Sequence, residues 1–267
     1  MTNRLVALAA LLFPLAAFPA TVLLEEMTSP ELAARVAAGT TTALVPVGGT
    51  EQNGPHMVLG KHNRRSLLLA TAIAEKLGHA VVAPVLAYVP EGAIDPPTQH
   101  MKWPGTISVP EAAFESVLEG AARSLCRHGL TDVFFLGDHG GYQAAMARAA
   151  ERTNRGAKGG CRAHALAEYY RVTQTDYVKA LKAEGVAEAE LGSHAGLADT
   201  SLALAVDPAL VRLDAARNRK PGAADGATGD TRRSSAEWGR LGTQRIVEAS
   251  VAAIEAALKQ THPKGKE

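Results

Sequence analysis

Alternation constrains this chain more than any other feature. Apolar runs of strand length at 42–47 (TALVPV) and 132–136 (DVFFL), and weaker ones at 80–89 and 161–166, are separated by longer segments of helical pattern. The two sharpest runs are apolar almost throughout, as strands covered on both faces are. Strands alternating with helices predict an α/β fold: a mostly parallel sheet with helices on both faces. The pattern places helices over 29–39, 65–77, 110–128 and 142–155, with further helical stretches in 173–192, 200–206 and 236–258. In the first of these, Ser29, Pro30 and Gly39 read as N-cap, first-turn proline and stop. The Gly-, Arg- and Ala-rich stretch 218–235 reads as a loop, and the closing THPKGKE as a frayed end. No internal repeat is visible.

Ahead of this pattern stands an unbroken apolar run over 5–18, preceded by Arg4 and followed by a small residue at Ala20. It is too short to span a bilayer comfortably and has the layout of a secretory signal peptide. The alternative is a buried N-terminal helix or strand. The expectation is a signal peptide at 1–20, a single domain over 21–267, and a soluble periplasmic or secreted protein without a stable membrane anchor. In that oxidising setting Cys126 and Cys161, flanking one strand–helix unit, could pair or remain two buried thiols. Lys plus Arg number 28 and Asp plus Glu 27, so no general basic field exists to hold nucleic acid. Two cysteines cannot make a four-thiolate zinc site.

In open α/β sheets ligands bind beyond the carboxyl ends of the strands. Three loops fall there: GGTEQNGPH at 48–56, running on to His62; GDHGGY at 137–142; and GSHAGLADTS at 192–201. Each carries a histidine and a carboxylate. Glu51, His62, His139 and Asp199 would together supply two imidazoles and two carboxylates, a set suited to Zn²⁺, Mn²⁺ or Fe²⁺. The competing reading is Gly-rich turns that carry solvated side chains. Phosphate cradling by GDHGG is disfavoured, because an Asp and a His inside the loop would oppose an anion or have no use for one.

Four ordered segments, EQNGPH at 51–56, WPGTIS at 103–108, GDHGG at 137–141 and HAGLADTS at 194–201, resemble the motifs of the creatininase (creatinine amidohydrolase) family. The GATGD at 226–230 resembles that family's late turn, and the likeness runs from about residue 24 to 258. It implies a three-layer α/β/α sandwich holding one or two divalent ions, zinc first and manganese or iron next. It also implies cleavage of a C–N bond in a small cyclic or linear amide by metal-activated water, in a homo-oligomer, often a hexamer.

The departures are specific. The family's first-motif histidine is Asn53, its following aspartate is His62, its late glutamate is Asp199, and the residue before the motif histidine is Asp138. The resemblance then implies one tight metal on Glu51, His62, His139 and Asp199, with a second, weaker site near Asp138 and Asn53. Glu51 and His194 are the candidate catalytic residues, His194 as proton shuttle. His100, Trp103 and Tyr142 are candidate substrate contacts, and His56 a stiffener of the first loop. Lys61, Arg64 and Arg65 would bind an anionic substrate group or form a solvated helix start. The altered ligands also leave open a non-catalytic metal or small-molecule binder of the same fold, or a lactone or ester hydrolase.

Overall fold

The computed structural model describes residues 21–157 and 160–261. The signal-peptide expectation at 1–20 lies outside the described residues, as does the expected frayed end except for Thr261, which closes the last helix. The elements are α1 (Ser29–Ala37), β1 (Thr42–Val47), α2 (Lys61–Leu77), β2 (Ala80–Val82), α3 (Glu111–Arg127), β3 (Asp132–Gly137), α4 (Gln143–Gly156), β4 (Arg162–Ala165), α5 (Ala167–Gln174), α6 (Asp176–Ala183), α7 (Glu188–Leu191), α8 (Leu197–Val206), α9 (Leu213–Asn218) and α10 (Ala236–Thr261). The four strands form one parallel sheet in the order β2-β1-β3-β4.

Every residue of β1, β2 and β3 is buried, as the continuous apolar runs require. Alternate side chains serve opposite faces. Leu44, Phe134 and Leu136 pack with Leu69, Ile73, Tyr169, Tyr177, Leu202 and Ile254 on one side. Ala43, Val45, Val133 and Phe135 pack with Phe114, Leu118, Met146 and Ala149 on the other. The helices α2, α5, α6, α8 and α10 cover the first face, and α1, α3 and α4 the second, giving the three-layer sandwich.

Details depart from the sequence reading where tertiary contacts decide. The first helix is capped by Thr28, whose backbone N–H and hydroxyl both donate to Glu31 at 2.7 Å, so Ser29 is its first residue and not its cap. The second begins at Lys61, four residues earlier than expected. β2 ends at Val82 and pairs with β1 only as far as Leu44; past it Pro46, which has no N–H to donate, still accepts from the Leu86 N–H at 3.0 Å. Cys126 and Cys161 form a disulfide, with Cα atoms 5.5 Å apart, which settles the alternative left open by spacing.

Candidate metal centre

From β1 the chain crosses outward to β2, then returns to β3 on the other side of β1. The crevice at such a reversal lies beyond the carboxyl ends of the two diverging strands. Glu51 follows β1 and His139 follows β3 into that crevice. The first loop is pinned to α2: Asn63 Oδ1 accepts from the Gly49 N–H at 2.9 Å and Asn63 Nδ2 donates to Thr50 Oγ1 at 3.2 Å. Asn53 closes the loop on itself by donating to the carbonyls of Glu51 (2.9 Å) and Val58 (3.1 Å). His56 ties it to the 192–201 loop through Ala195 O and Thr200 Oγ1, both 3.0 Å from Nε2, as the stiffening role required.

The Glu51 carboxylate is fully buried. Its Oε1 takes the His62 Nε2 contact at 2.8 Å, while Oε2 has no hydrogen-bond partner. Around Oε2 stand His100 Nε2 at 3.3 Å and His139 Nε2 at 3.7 Å, and His194 Nδ1 lies 3.8 Å from Oε1. Ligand atoms of Glu51, His100, His139 and His194 lie within 4.8 Å of one another, the one group among the described residues that could hold a metal ion. Burial alone would raise the Glu51 carboxyl, but the His62 hydrogen bond and the His62 and Lys61 charges hold it below the usual carboxylate range. Burial brings His139 down to about 3 and His194 to about 4 despite the pull of Glu51, and lowers His100 as well. Neutral rings beside an ionised carboxylate with a free oxygen form a donor set that fits a divalent cation.

Gln52 sorts the rings. Its amide is fixed by the Gly54 N–H donating to Oε1 (3.0 Å) and by Nε2 donating to Gly226 O (2.8 Å). Its second amide proton has two ring nitrogens in reach, His194 Nε2 at 3.0 Å and His100 Nδ1 at 3.2 Å. His194 Nε2 also lies 2.9 Å from the Gln52 carbonyl, and giving each acceptor a donor makes Nε2–H donate there and sends the amide proton to His100, so the His194 Nδ1 lone pair faces Glu51 and His100 Nε2 carries the N–H that faces the site. This sorting follows from the network of donors and acceptors.

Behind the cluster lies a buried ionic wall. His62 spans Glu51 and Asp138, with Nδ1 2.6 Å from Asp138 Oδ2. Asp138 also accepts from Arg65 Nε (2.9 Å) and the Tyr169 hydroxyl (2.9 Å). Asp199 accepts from Lys61 Nζ and from Arg65 Nη1 (2.6 Å), and these cations hold it well below its ordinary range although burial pushes the other way. A cavity of about 130 Å³ opens beside His139 and His194, with Lys61, Arg65, Tyr170 and Asp199 among its walls.

The expected ligands therefore divide. Glu51 and His139 enter the four-donor group. His62 does not, because carboxylates occupy both its ring nitrogens, and Asp199 does not, because Lys61 and Arg65 claim its oxygens. At the second site expected near Asp138 and Asn53, Asp138 is ion-paired with Arg65, while the Asn53 amide nitrogen donates to two carbonyls and its Oδ1 is buried without a hydrogen-bond partner. Lys61 and Arg65 are buried and ion-paired with Asp199 and Asp138, whereas Arg64 is half-exposed beside Asp207 at 3.2 Å. Tyr142 is not a pocket residue: it is wholly buried, its hydroxyl lies 2.6 Å from Gly48 O, and it accepts from the His139 N–H at 3.0 Å. Trp103 is 37% exposed at the outer loop. His100, read as a substrate contact, stands inside the donor group. Sequence reasoning passed over Glu91, a fully buried carboxyl whose oxygens have no hydrogen-bond partner. Burial and then the Glu51 charge push it up to about 9. Its only signal is an acidic residue directly after an apolar run.

The family model described as creatinine amidohydrolase matches residues 25–254. The creatinine amidohydrolase of Pseudomonas putida is 27% identical over 265 residues, covering 91% of this chain and 98% of that protein. A mycofactocin precursor peptide peptidase of Mycolicibacterium smegmatis is 38% identical over 111 residues, which is 40% of this chain and 42% of the peptidase, so the chain matches less than half of that relative's length. A crystal structure of creatinine amidohydrolase superposes with a TM-score of 0.70 at 27% identity, covering 92% of this chain and all of the other. Family model, full-length relative and superposed structure agree, and the chain belongs to the creatininase family of hydrolases.

Proposed function

We propose that this protein is a metal-dependent amidohydrolase that holds one divalent ion on Glu51, His139 and His194 and cleaves a C–N bond of a small cyclic or linear amide. The observation that carries this reading is the free Oε2 of buried Glu51, facing neutral imidazoles at the carboxyl ends of β1 and β3. Two imidazoles and a carboxylate are a set used by catalytic zinc, with manganese or iron as alternatives. The ion would supply Lewis acidity and a bound water of lowered pKa.

The protein's own groups supply the rest. His62 and Lys61 keep Glu51 ionised, and Gln52 presents His194 Nδ1 as a lone pair. His100, 19% exposed in its side chain, turns its Nε2 N–H toward Glu51 Oε2, 3.3 Å away, where it can donate to a substrate carbonyl or leaving nitrogen held at that centre. The proton role first given to His194 thus passes to His100, because His194 turns its lone pair inward. Export is part of the proposal, supported by the N-terminal apolar run and by the Cys126–Cys161 disulfide. Assembly as a homo-oligomer is proposed on the family resemblance.

A second reading, a binder without turnover, draws on Asn53 and His62, which serve the loop and the ionic wall. The test is metal analysis of purified protein, then a panel of amides, lactams and lactones with that metal restored. Metal-dependent amide hydrolysis that Glu51→Gln abolishes supports the enzyme. Tight metal binding with no turnover on the panel favours the binder, and absence of metal uptake refutes the proposed centre.

A further inference from the structure

Glu91 lies outside the donor group yet against it. Its Oε2 is 3.7 Å from His139 Nδ1, on the side of the ring opposite the Nε2 that faces Glu51. Buried polar atoms rarely go unpartnered, and here both carboxyl oxygens do. The position is built. The Glu91 N–H donates to Ser108 Oγ at 2.9 Å, and that hydroxyl donates to Gly92 O at 2.6 Å, so the WPGTIS segment anchors the residue. Opposite, Gly49 has φ 144°, and a Cβ there would come within 2.8 Å of Glu91 Oε1, so the first loop makes room for this carboxyl.

His139 can exist as two neutral tautomers. In one, Nδ1 accepts from the Gly141 N–H, 3.2 Å away, and Nε2–H points at Glu51. In the other, Nδ1–H faces Glu91 and the Nε2 lone pair faces the centre. Only the second can ligate. We infer that Glu91 is the positioning residue that selects the ligating tautomer of His139, its carboxyl oxygen accepting from Nδ1–H behind the metal centre. The inference rests on the metal-centre reading above. Partners of this kind behind a ligating histidine commonly set metal affinity within 10- to 100-fold.

The experiment measures zinc affinity by chelator competition for the full-length wild type, E91L and E91Q, with ¹⁵N-histidine NMR of the zinc-loaded proteins. E91L removes the acceptor and is expected to bind zinc about 10- to 100-fold more weakly. E91Q keeps one acceptor oxygen but exchanges the other for an NH₂ that cannot accept, and a several-fold loss is expected. The wild-type His139 spectrum should show protonated Nδ1. Affinity in E91L equal to wild type overturns the inference, as does Nε2 protonation in the loaded wild type. If E91L does not fold, unchanged affinity in E91Q overturns it. A wild type that binds no zinc overturns the metal reading itself and the inference with it, whereas zinc binding indifferent to Glu91 overturns the inference alone.

Discussion

Replacing Glu91 by Gln should make the metal-free protein more stable in mildly alkaline solution. The Glu91 carboxyl is fully buried beside Glu51 and pushed up to about 9, against 4.5 for a free side chain. The folded state therefore keeps a proton that the unfolded chain has released, and stability from this group is complete below pH 4.5 and lost as pH rises toward 9. The slope is about 1.4 kcal/mol per pH unit, so about 2.7 kcal/mol disappears between pH 7 and pH 9. Between pH 7 and 9 His139 and His194 are neutral in both states, and no free cysteine titrates among the described residues. Glutamine has the same shape and no such slope. Against its gain stands about 1–3 kcal/mol if its buried amide finds no partner. Urea unfolding of chelator-treated, disulfide-intact protein at pH 7, 8 and 9 measures the effect. Wild-type stability should fall across this range while E91Q stays flat, the two diverging by about 2–3 kcal/mol. Parallel lines for the two proteins would refute the placement of Glu91 as a buried acid next to an ionised Glu51.

Zinc affinity should be nearly independent of pH above about 6 and fall only below pH 4–5, since burial holds His139 and His194 at about 3 and 4; a midpoint of competition near 6.5, seen by titration with a chelator, would contradict this. The same two rings should destabilise the metal-free protein as pH drops from 6.5 toward 4, because the unfolded chain gains protons there that the folded rings refuse, visible as a falling Tm. Lys61→Met strands the buried Glu51 and the partly buried Asp199 and should cost about 3 kcal/mol in chemical unfolding, whereas loss under 1 kcal/mol would mean that the pairing is not worth its desolvation. Cys126→Ser with Cys161→Ser opens a link across 35 residues and should cost about 3–4 kcal/mol at pH 7.

The sheet was legible because β1 and β3 are buried on both faces, and burial on both faces writes a continuous apolar run. Glu51 and His139 were legible because each follows such a run directly, so topology alone carries them to the crevice. The remaining ligands were not. Asp199 meets Lys61 and Arg65 across more than 130 residues of sequence, and no local pattern reports that those cations take its oxygens. His62 sits one residue into α2, where helix geometry turns it behind Glu51 toward Asp138. His100 and Glu91 lie in the irregular stretch after β2, which has neither period. Its course is set by long-range bonds such as Ile107 N–H to Thr50 O at 2.9 Å and Gln52 N–H to Thr106 Oγ1 at 3.1 Å. Tyr142 follows the third motif as a pocket residue would, but the turn after β3 folds its hydroxyl back onto Gly48 O.

The central claim is that Glu51, His139 and His194 hold one ion. Anomalous diffraction at the zinc absorption edge from crystals grown with zinc tests it directly. The account predicts a single peak bonded to a Glu51 oxygen, His139 Nε2 and His194 Nδ1, with His62 still bridging Glu51 and Asp138. A peak coordinated by His62 and Asp199, or no peak in the crevice, would contradict it.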